Sequence, residues 1–248
     1  MKRFFSNFLA KSSVPGVNTS PQEEGAPQPP LELPYPPDAQ LIALPAPDKL
    51  AMPVVGLREV IEKRRSLRRY QEAPLSLEEL SYLLWLTQGV QRITGRPATI
   101  RTVPSAGARH AFETVLLVNR VGGLEPGLYR FIATRHALMQ MEAPSDICEL
   151  LTHATHEQDH VRQSAVTFAW VAITERMAFR YSERSMRYLF LDAGHVCQNL
   201  YLAAESIDCG VCAVGHFLDG ELNALLGLDG VDQFVLYLAT VGKREEKR

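Results

Sequence analysis

Apolar positions along the chain alternate between two rhythms, one of helical period and one of strand length, and together they predict most of the elements. Ser76 reads as a helix N-cap, with Glu79 three residues on to complete a capping box. Leu77, Leu80, Leu83, Leu84 and Trp85 then form a helical stripe that ends near Gly89. A polar stretch, residues 92–102, reads as loop. Residues 112–118 and 127–131 read as strands with a turn at Gly122-Gly123, and residues 145–156 as helix. Residues 165–174 (AVTFAWVAIT) are apolar almost without a break, as in a strand covered on both faces. The longest periodic segment is residues 183–205, where Met186, Leu189, Phe190, Ala193, Val196, Cys197, Leu200, Tyr201 and Ala204 make a wide apolar face. Strands over 209–214 and 234–241, with a helix over 218–226 between them, close the chain. This order predicts an α+β fold with a mixed, mainly antiparallel sheet flanked by helices.

The first 53 residues break that pattern. They hold 11 of the 16 prolines, with few apolar residues before Leu41. Such a segment buries too little surface to offset its ordering entropy, so residues 1–40 are expected to be a disordered or extended arm. Residues 41–248 form the domain. Its compact part begins near Val54, and residues 41–45 dock upon it. Residues 1–11 have a superficial likeness to an export signal, but Ser6, Asn7 and Lys11 interrupt a short apolar run. A frayed tail is the expectation there, with a short amphipathic helix through Phe4, Phe5, Phe8 and Leu9 as the other reading. No run reaches the roughly 18 apolar residues of a membrane-spanning helix, and the four cysteines are too sparse for a disulfide scaffold. A cytoplasmic location is expected.

Charge narrows the chemistry. The formal net charge is −2, so nothing in the balance argues for nucleic acid. Against it, residues 64–70 place Arg64, Arg65, Arg68, Arg69 and Ser66 within one stretch. Guanidinium forks and a small hydroxyl suit a phosphate, although a solvated basic edge has the same composition. His156-Glu157-Gln158-Asp159-His160 satisfies H-E-x-x-H, the zinc-hydrolase spacing, but in a wholly polar context without a distinctive third ligand. No metal is expected. Cys209 and Cys212 form a C-x-x-C that falls in or beside a strand and reads as buried thiols. Arg180-Tyr181 combines a phenol able to move a proton with a guanidinium, in front of the long helix, although on the residues alone a surface arginine beside a half-buried tyrosine is the preferred reading. The small-residue loops at Pro104, Ser105, Ala106, Gly107 and at Val214, Gly215 bring backbone donors near a flat ligand, and Lys243 and Arg244 add cations. With neither G-x-G-x-x-G nor a P-loop present, any phosphate must be held by arginines, lysines and loop amides.

Several motifs in order give these pieces a family: residues 64–70, 75–80, 104–108, 122–129, 191–200 and 225–228. With them the chain resembles the nitroreductase superfamily of FMN enzymes, and within it the SagB-type dehydrogenases, over about residues 41–243. The resemblance implies an α+β homodimer with two FMN sites at its interface. It implies that Arg64, Arg65 and Ser66 hold the phosphate and ribityl chain, and that Arg68 approaches the pyrimidine edge. Lys243, with Arg244, closes on the phosphate, and Val214 and Gly215 face flavin N5. Pro104, Ser105, Ala106 and Gly107 reach the flavin bound mainly by the other subunit. Arg180 and Tyr181 stand where azoline-oxidising members carry Lys-Tyr. Arginine hardly deprotonates, so this departure and the sequence Ala108-Arg109-His110 both put the substrate in question. The implied activity is hydride transfer on a small molecule or modified peptide, or NAD(P)H-dependent reduction of a nitro or quinone compound. A zinc hydrolase at His156 and His160 and a non-catalytic binding subunit are the readings from other classes.

Overall fold

In a computed structural model, residues 2–13 and 18–245 are described. Seven strands form one sheet. In chain order they are β1 (Leu41–Ala43), β4 (Phe112–Val118), β5 (Gly127–Ile132), β6 (Ala137–Gln140), β7 (Val166–Ile173), β8 (Cys209–Val214) and β9 (Gln233–Lys243). The spatial order is β1-β6-β5-β4-β7-β9-β8, with every ladder antiparallel. A separate ribbon, β2 (Val90–Ile93) with β3 (Thr99–Arg101), occupies the stretch expected as loop. Its turn is held by Thr94 N–H donating to the Ala98 carbonyl, a local pairing that leaves no apolar period to read.

β4 and β7 lie mid-sheet and are buried along their whole length. On one face Phe112, Leu116, Phe168 and Trp170 meet α3 (Leu77–Gln88) and α7 (Ser185–Ser206). On the other, Val115, Leu117, Ala169 and Val171 meet α4 (Ile147–Ala154) and α8 (Asp219–Leu225). This is the two-sided burial that the unbroken apolar run of β7 requires. α3 starts on the expected capping box, with Ser76 Oγ accepting from Glu79 N–H and Glu79 returning to Ser76 N–H. The remaining helices are α1 (Lys2–Lys11), α2 (Leu57–Lys63), α5 (His160–Gln163) and α6 (Thr174–Tyr181). The expected frayed tail is thus a helix in residues 2–11. Ser12, just beyond it, accepts at its carbonyl from Arg184 Nη1 and at its hydroxyl from Arg187 Nη2.

Residues 18–40 run as extended chain and turns, from the end of α6 to strands β4 and β5. Gln22 N–H donates to the Phe179 carbonyl, Leu33 N–H to Glu113 Oε1, and Arg130 Nη2 to the Leu33 carbonyl. Beneath them lies a buried ion pair, Arg176 Nη2 to Glu113 Oε1 at 2.6 Å, whose side chains are only 3% and 5% exposed. Arg176 Nε donates to the Pro30 carbonyl. The arm therefore supplies polar partners to charges that have no water.

Candidate active site

Residues 64–71 lie along β8, the edge strand. Ser66 forms a parallel bridge with Val211, Leu67 N–H donates to the Val211 carbonyl, and Gln71 N–H donates to that of Lys243. Two glycines permit this close approach. A methyl on Gly242 would fall 2.6 Å from Tyr70 Cγ, and one on Gly210 would fall 2.8 Å from Leu67 Cδ1. Tyr70 is buried and donates to the Leu67 carbonyl at 2.7 Å, which fixes the turn between the arginine pairs.

Tyr201, on α7, organises the front of the cluster. Its ring carries the Arg64 guanidinium 5.1 Å from its centroid, and its hydroxyl lies 2.9 Å from Ser66 Oγ. The same hydroxyl accepts from Ala213 N–H at 2.9 Å, next to Val214 and Gly215. One phenol thus joins the arginine stretch to the β8 end. The Arg68 charge reaches the same place, since it opposes the burial that pushes the Cys212 thiol up. Tyr201 brings Arg64 and Ser66 to the strand end that leads into Val214 and Gly215, and among the described residues no carboxylate lies within ion-pair distance of Arg64 or Arg68. Tyr237 packs below, 3.6 Å from where a Gly215 Cβ would stand, and burial pushes its phenol up to about 12.

The other cations sit differently. Arg65 turns back to donate to the Glu62 and Arg64 carbonyls. Lys243 is ion-paired with Glu79 and Arg244 with Glu205. With Glu62, Asp208 and Glu245 they line a cleft of about 850 Å³ of mixed charge.

A second group forms at the far part of α7. Gly107 takes φ +56°, and a methyl there would fall 2.6 Å from Tyr181 Oη and 2.9 Å from Arg180 Cδ. Pro104 and Gly107 are exposed, Ser105 and Ala106 half-buried. The loop is anchored by Asp192, 4% exposed, whose Oδ1 accepts from Ala106 N–H at 3.2 Å. Burial pushes the Asp192 carboxyl up, against the lowering effect of its bonds to Ser105 and Ala106. Asp192 and Tyr201 are separated by nine residues of α7, about 14 Å along its axis and roughly two and a half turns. The two groups therefore occupy different flanks of that helix. Tyr201 and Asp192 escaped the sequence reading. Tyr201 sits within the apolar period, while Asp192, a lone acid inside it, was the available signal.

His110 closes the loop with φ +43°, its N–H donating to Ser105 Oγ at 2.9 Å. Burial, reinforced by the Arg101 and Arg109 charges, pushes its imidazole down to about 3 from 6.5. The unfolded chain then binds this proton near pH 6.5 while the folded chain stays neutral until about pH 3. Stability should fall as pH drops through that window, by up to about 1.4 kcal/mol per pH unit. Urea melts of His110→Gln between pH 6.5 and 4 should show a flatter slope than the parent; an identical slope would assign the titration elsewhere.

The H-E-x-x-H stretch is not one helix. His156 and Glu157 have φ +55° and +54°, and α5 begins only at His160. His156 is exposed against His216, with ring centroids 4.1 Å apart, while His160 is buried. No group of three metal-ligating side chains occurs among the described residues. All four cysteines are free, and Cys209 and Cys212 are buried within β8.

The antiparallel sheet is sandwiched by helices and carries, at its β8 edge, arginines without acidic partners among the described residues. The nitroreductase family model matches residues 61–243, and the chain belongs to that family. A Methanocaldococcus jannaschii protein described as a nitroreductase is 34% identical over 77% of this chain and 93% of its own. The trifolitoxin-processing protein TfxB of Rhizobium leguminosarum bv. trifolii is 35% identical over 52% of this chain but 36% of its own length. A crystal structure from Anabaena variabilis, also described as a nitroreductase, aligns with TM-score 0.69 and 28% identity. It covers 84% of this chain, which spans 42% of that one. Two more distant structures share the fold alone. One is a Desulfovibrio desulfuricans protein in complex with FMN (TM-score 0.53, 20% identity, 79% of this chain and 92% of that one). The other is the E. coli microcin synthetase McbBCD complex with truncated pro-MccB17 (TM-score 0.62, 17% identity, 98% and 93%). Family membership makes the chain an oxidoreductase. No described helix is long and apolar enough to cross a membrane.

Proposed function

We propose that the protein is an FMN-dependent oxidoreductase acting on a small molecule or modified peptide. The observation that carries this is the cradle of Arg64, Ser66 and Arg68. Its guanidiniums lack acidic partners, and Tyr201 braces Arg64 and Ser66 against the Ala213 N–H. A donor set of this kind fits an anionic, flat group. Arg64 and Ser66 hold the phosphate, with Arg65 beside them. Lys243 and Arg244 contribute charge from the cleft side, held there by Glu79 and Glu205. Arg68 stabilises negative charge on the pyrimidine edge. Val214 and Gly215 present backbone to the reactive face. Bound FMN supplies hydride transfer at N5.

Pro104, Ser105, Ala106 and Gly107 serve a flavin held by a second copy, which makes the working form a homodimer. The separation of the two groups along α7 supports that arrangement. So does an apolar groove of about 260 Å³ lined by Leu57, Val60, Tyr82 and Leu86, beside exposed Val54 and Ile61. Tyr181 Oη, beside Gly107, is the proton donor or acceptor at the substrate. Arg180 keeps its charge and serves binding.

Purified protein should be yellow, or take up FMN on reconstitution to about one per chain; colourless protein that refuses FMN would overturn the proposal. Stopped-flow mixing with NADPH separates the directions. Bleaching supports NAD(P)H-driven reduction of nitro or quinone compounds, as the M. jannaschii likeness favours. Silence toward NADPH with oxidation of an azoline peptide supports the SagB-type activity; the likeness to a trifolitoxin-processing protein favours a peptide substrate.

A further inference from the structure

Arg109 and Arg180 approach one another across Gly107. Arg109 Nε donates to the Gly107 carbonyl at 3.0 Å, which folds its side chain back over the turn. Arg180 lies against the same glycine, its Cδ 2.9 Å and its Nε 3.1 Å from where a Cβ would stand. Burial lowers the Arg109 guanidinium below its usual range, and the Arg180 charge lowers it further. Like charges held this close carry a cost that an anion between them would remove.

No anion among the described residues fills that role. Among the described residues neither arginine has a carboxylate within ion-pair distance, whereas Arg58, Arg162, Arg176 and Arg244 all do. Four acids of the surrounding segments bond elsewhere. Glu113 serves Arg176 and Leu33, Glu183 serves Asn18, Asp192 anchors Ala106, and Glu32 holds Thr134. Beside Arg180 the rings of Tyr181 and Tyr188 pack 4.5 Å apart, giving an apolar surface next to the two cations.

We propose that Arg109 and Arg180 bind the carboxylate of an acidic substrate whose apolar body rests on Tyr181 and Tyr188. Two guanidiniums from different elements suit the two oxygens of a carboxylate. This explains arginine at position 180, where an amine would act on protons: the side chain recognises charge and leaves proton movement to Tyr181. The proposal rests on the flavin reading for its chemistry, since it names the substrate of that site.

Calorimetric titration of the purified full chain with benzoate against benzamide, and with a free-acid peptide against its C-terminal amide, tests it without turnover. Each acid should bind at least about tenfold tighter than its amide, the scale of one charged hydrogen bond. Preference for benzoate alone would identify a small aromatic acid, and preference for the peptide acid a chain terminus. Arg109→Gln and Arg180→Gln should each bring the acid-to-amide ratio close to one, while Arg109→Lys keeps part of it. Equal binding of acid and amide by the parent, or a ratio untouched by both glutamine variants, would overturn the proposal. Flavin-loaded protein with no acid preference defeats this assignment alone, and acid preference in protein that refuses FMN defeats the flavin reading alone.

Discussion

Glu113→Ala is expected to lose about 3–5 kcal/mol of stability, the range for removing one partner of a buried ion pair. The loss is large because Arg176 is 3% exposed and would keep its charge with no water to solvate it. Its Nη1 already lacks a hydrogen-bond partner, so nothing nearby takes over. Leu33 N–H loses its acceptor in the same step, which loosens the arm from the sheet. Equilibrium denaturation measures the first effect and limited proteolysis within residues 18–34 the second. A double variant, Glu113→Leu with Arg176→Met, should recover most of the stability, because an apolar pair removes the desolvation cost instead of stranding one charge. The arm's bonds to Arg176 and Glu113 are still lost in that variant, so its proteolysis should stay faster than the parent's. Stability of Glu113→Ala within 1 kcal/mol of the parent would show that water reaches this pair in solution.

This arm shows where sequence reading stops. Its composition predicts a disordered or extended arm because proline and polar residues bury little apolar area. The bonds that hold residues 30–34 join backbone atoms of the arm to Arg176, Glu113 and Arg130, 80 to 146 residues away in sequence. Nothing in local pattern reports such pairings. Elements whose burial is periodic were legible: the capping box of α3, the two-sided β7 and the long α7 all follow from spacing. The ribbon of β2 and β3 and the short β6 were not, since residues 90–101 are polar and β6 is only four residues long. The candidate site divides in the same way. The arginine stretch and the Pro104–Gly107 loop stand out as composition, and the structure adds what braces them. Tyr201 and Asp192 are ordinary members of a helix until the fold puts Ser66 and Ala106 against them.

Arg64→Ala should weaken FMN binding by on the order of 10²-fold, while Arg69→Ala should change it less than about threefold. The first figure corresponds to the loss of one or two charged hydrogen bonds, at about 1.4 kcal/mol per tenfold. The contrast follows from placement. Arg64 lies on the Tyr201 ring beside Ser66, so its fork is oriented before any ligand arrives and little conformational entropy remains to be lost on binding. Arg69 is exposed and has neither an aromatic platform nor a tie to β8. Tyr201→Phe gives an intermediate case. It keeps the ring under Arg64 but removes the hydroxyl that meets Ser66 Oγ and accepts from Ala213 N–H, so a loss of roughly threefold to tenfold is expected, about one neutral hydrogen bond. Quenching of flavin fluorescence on titration with each variant reads all three constants. Equal losses for Arg64→Ala and Arg69→Ala would mean that the cluster acts as diffuse positive charge; a large loss confined to Arg64, with Tyr201→Phe between, would mean that the phosphate is held by an oriented clamp.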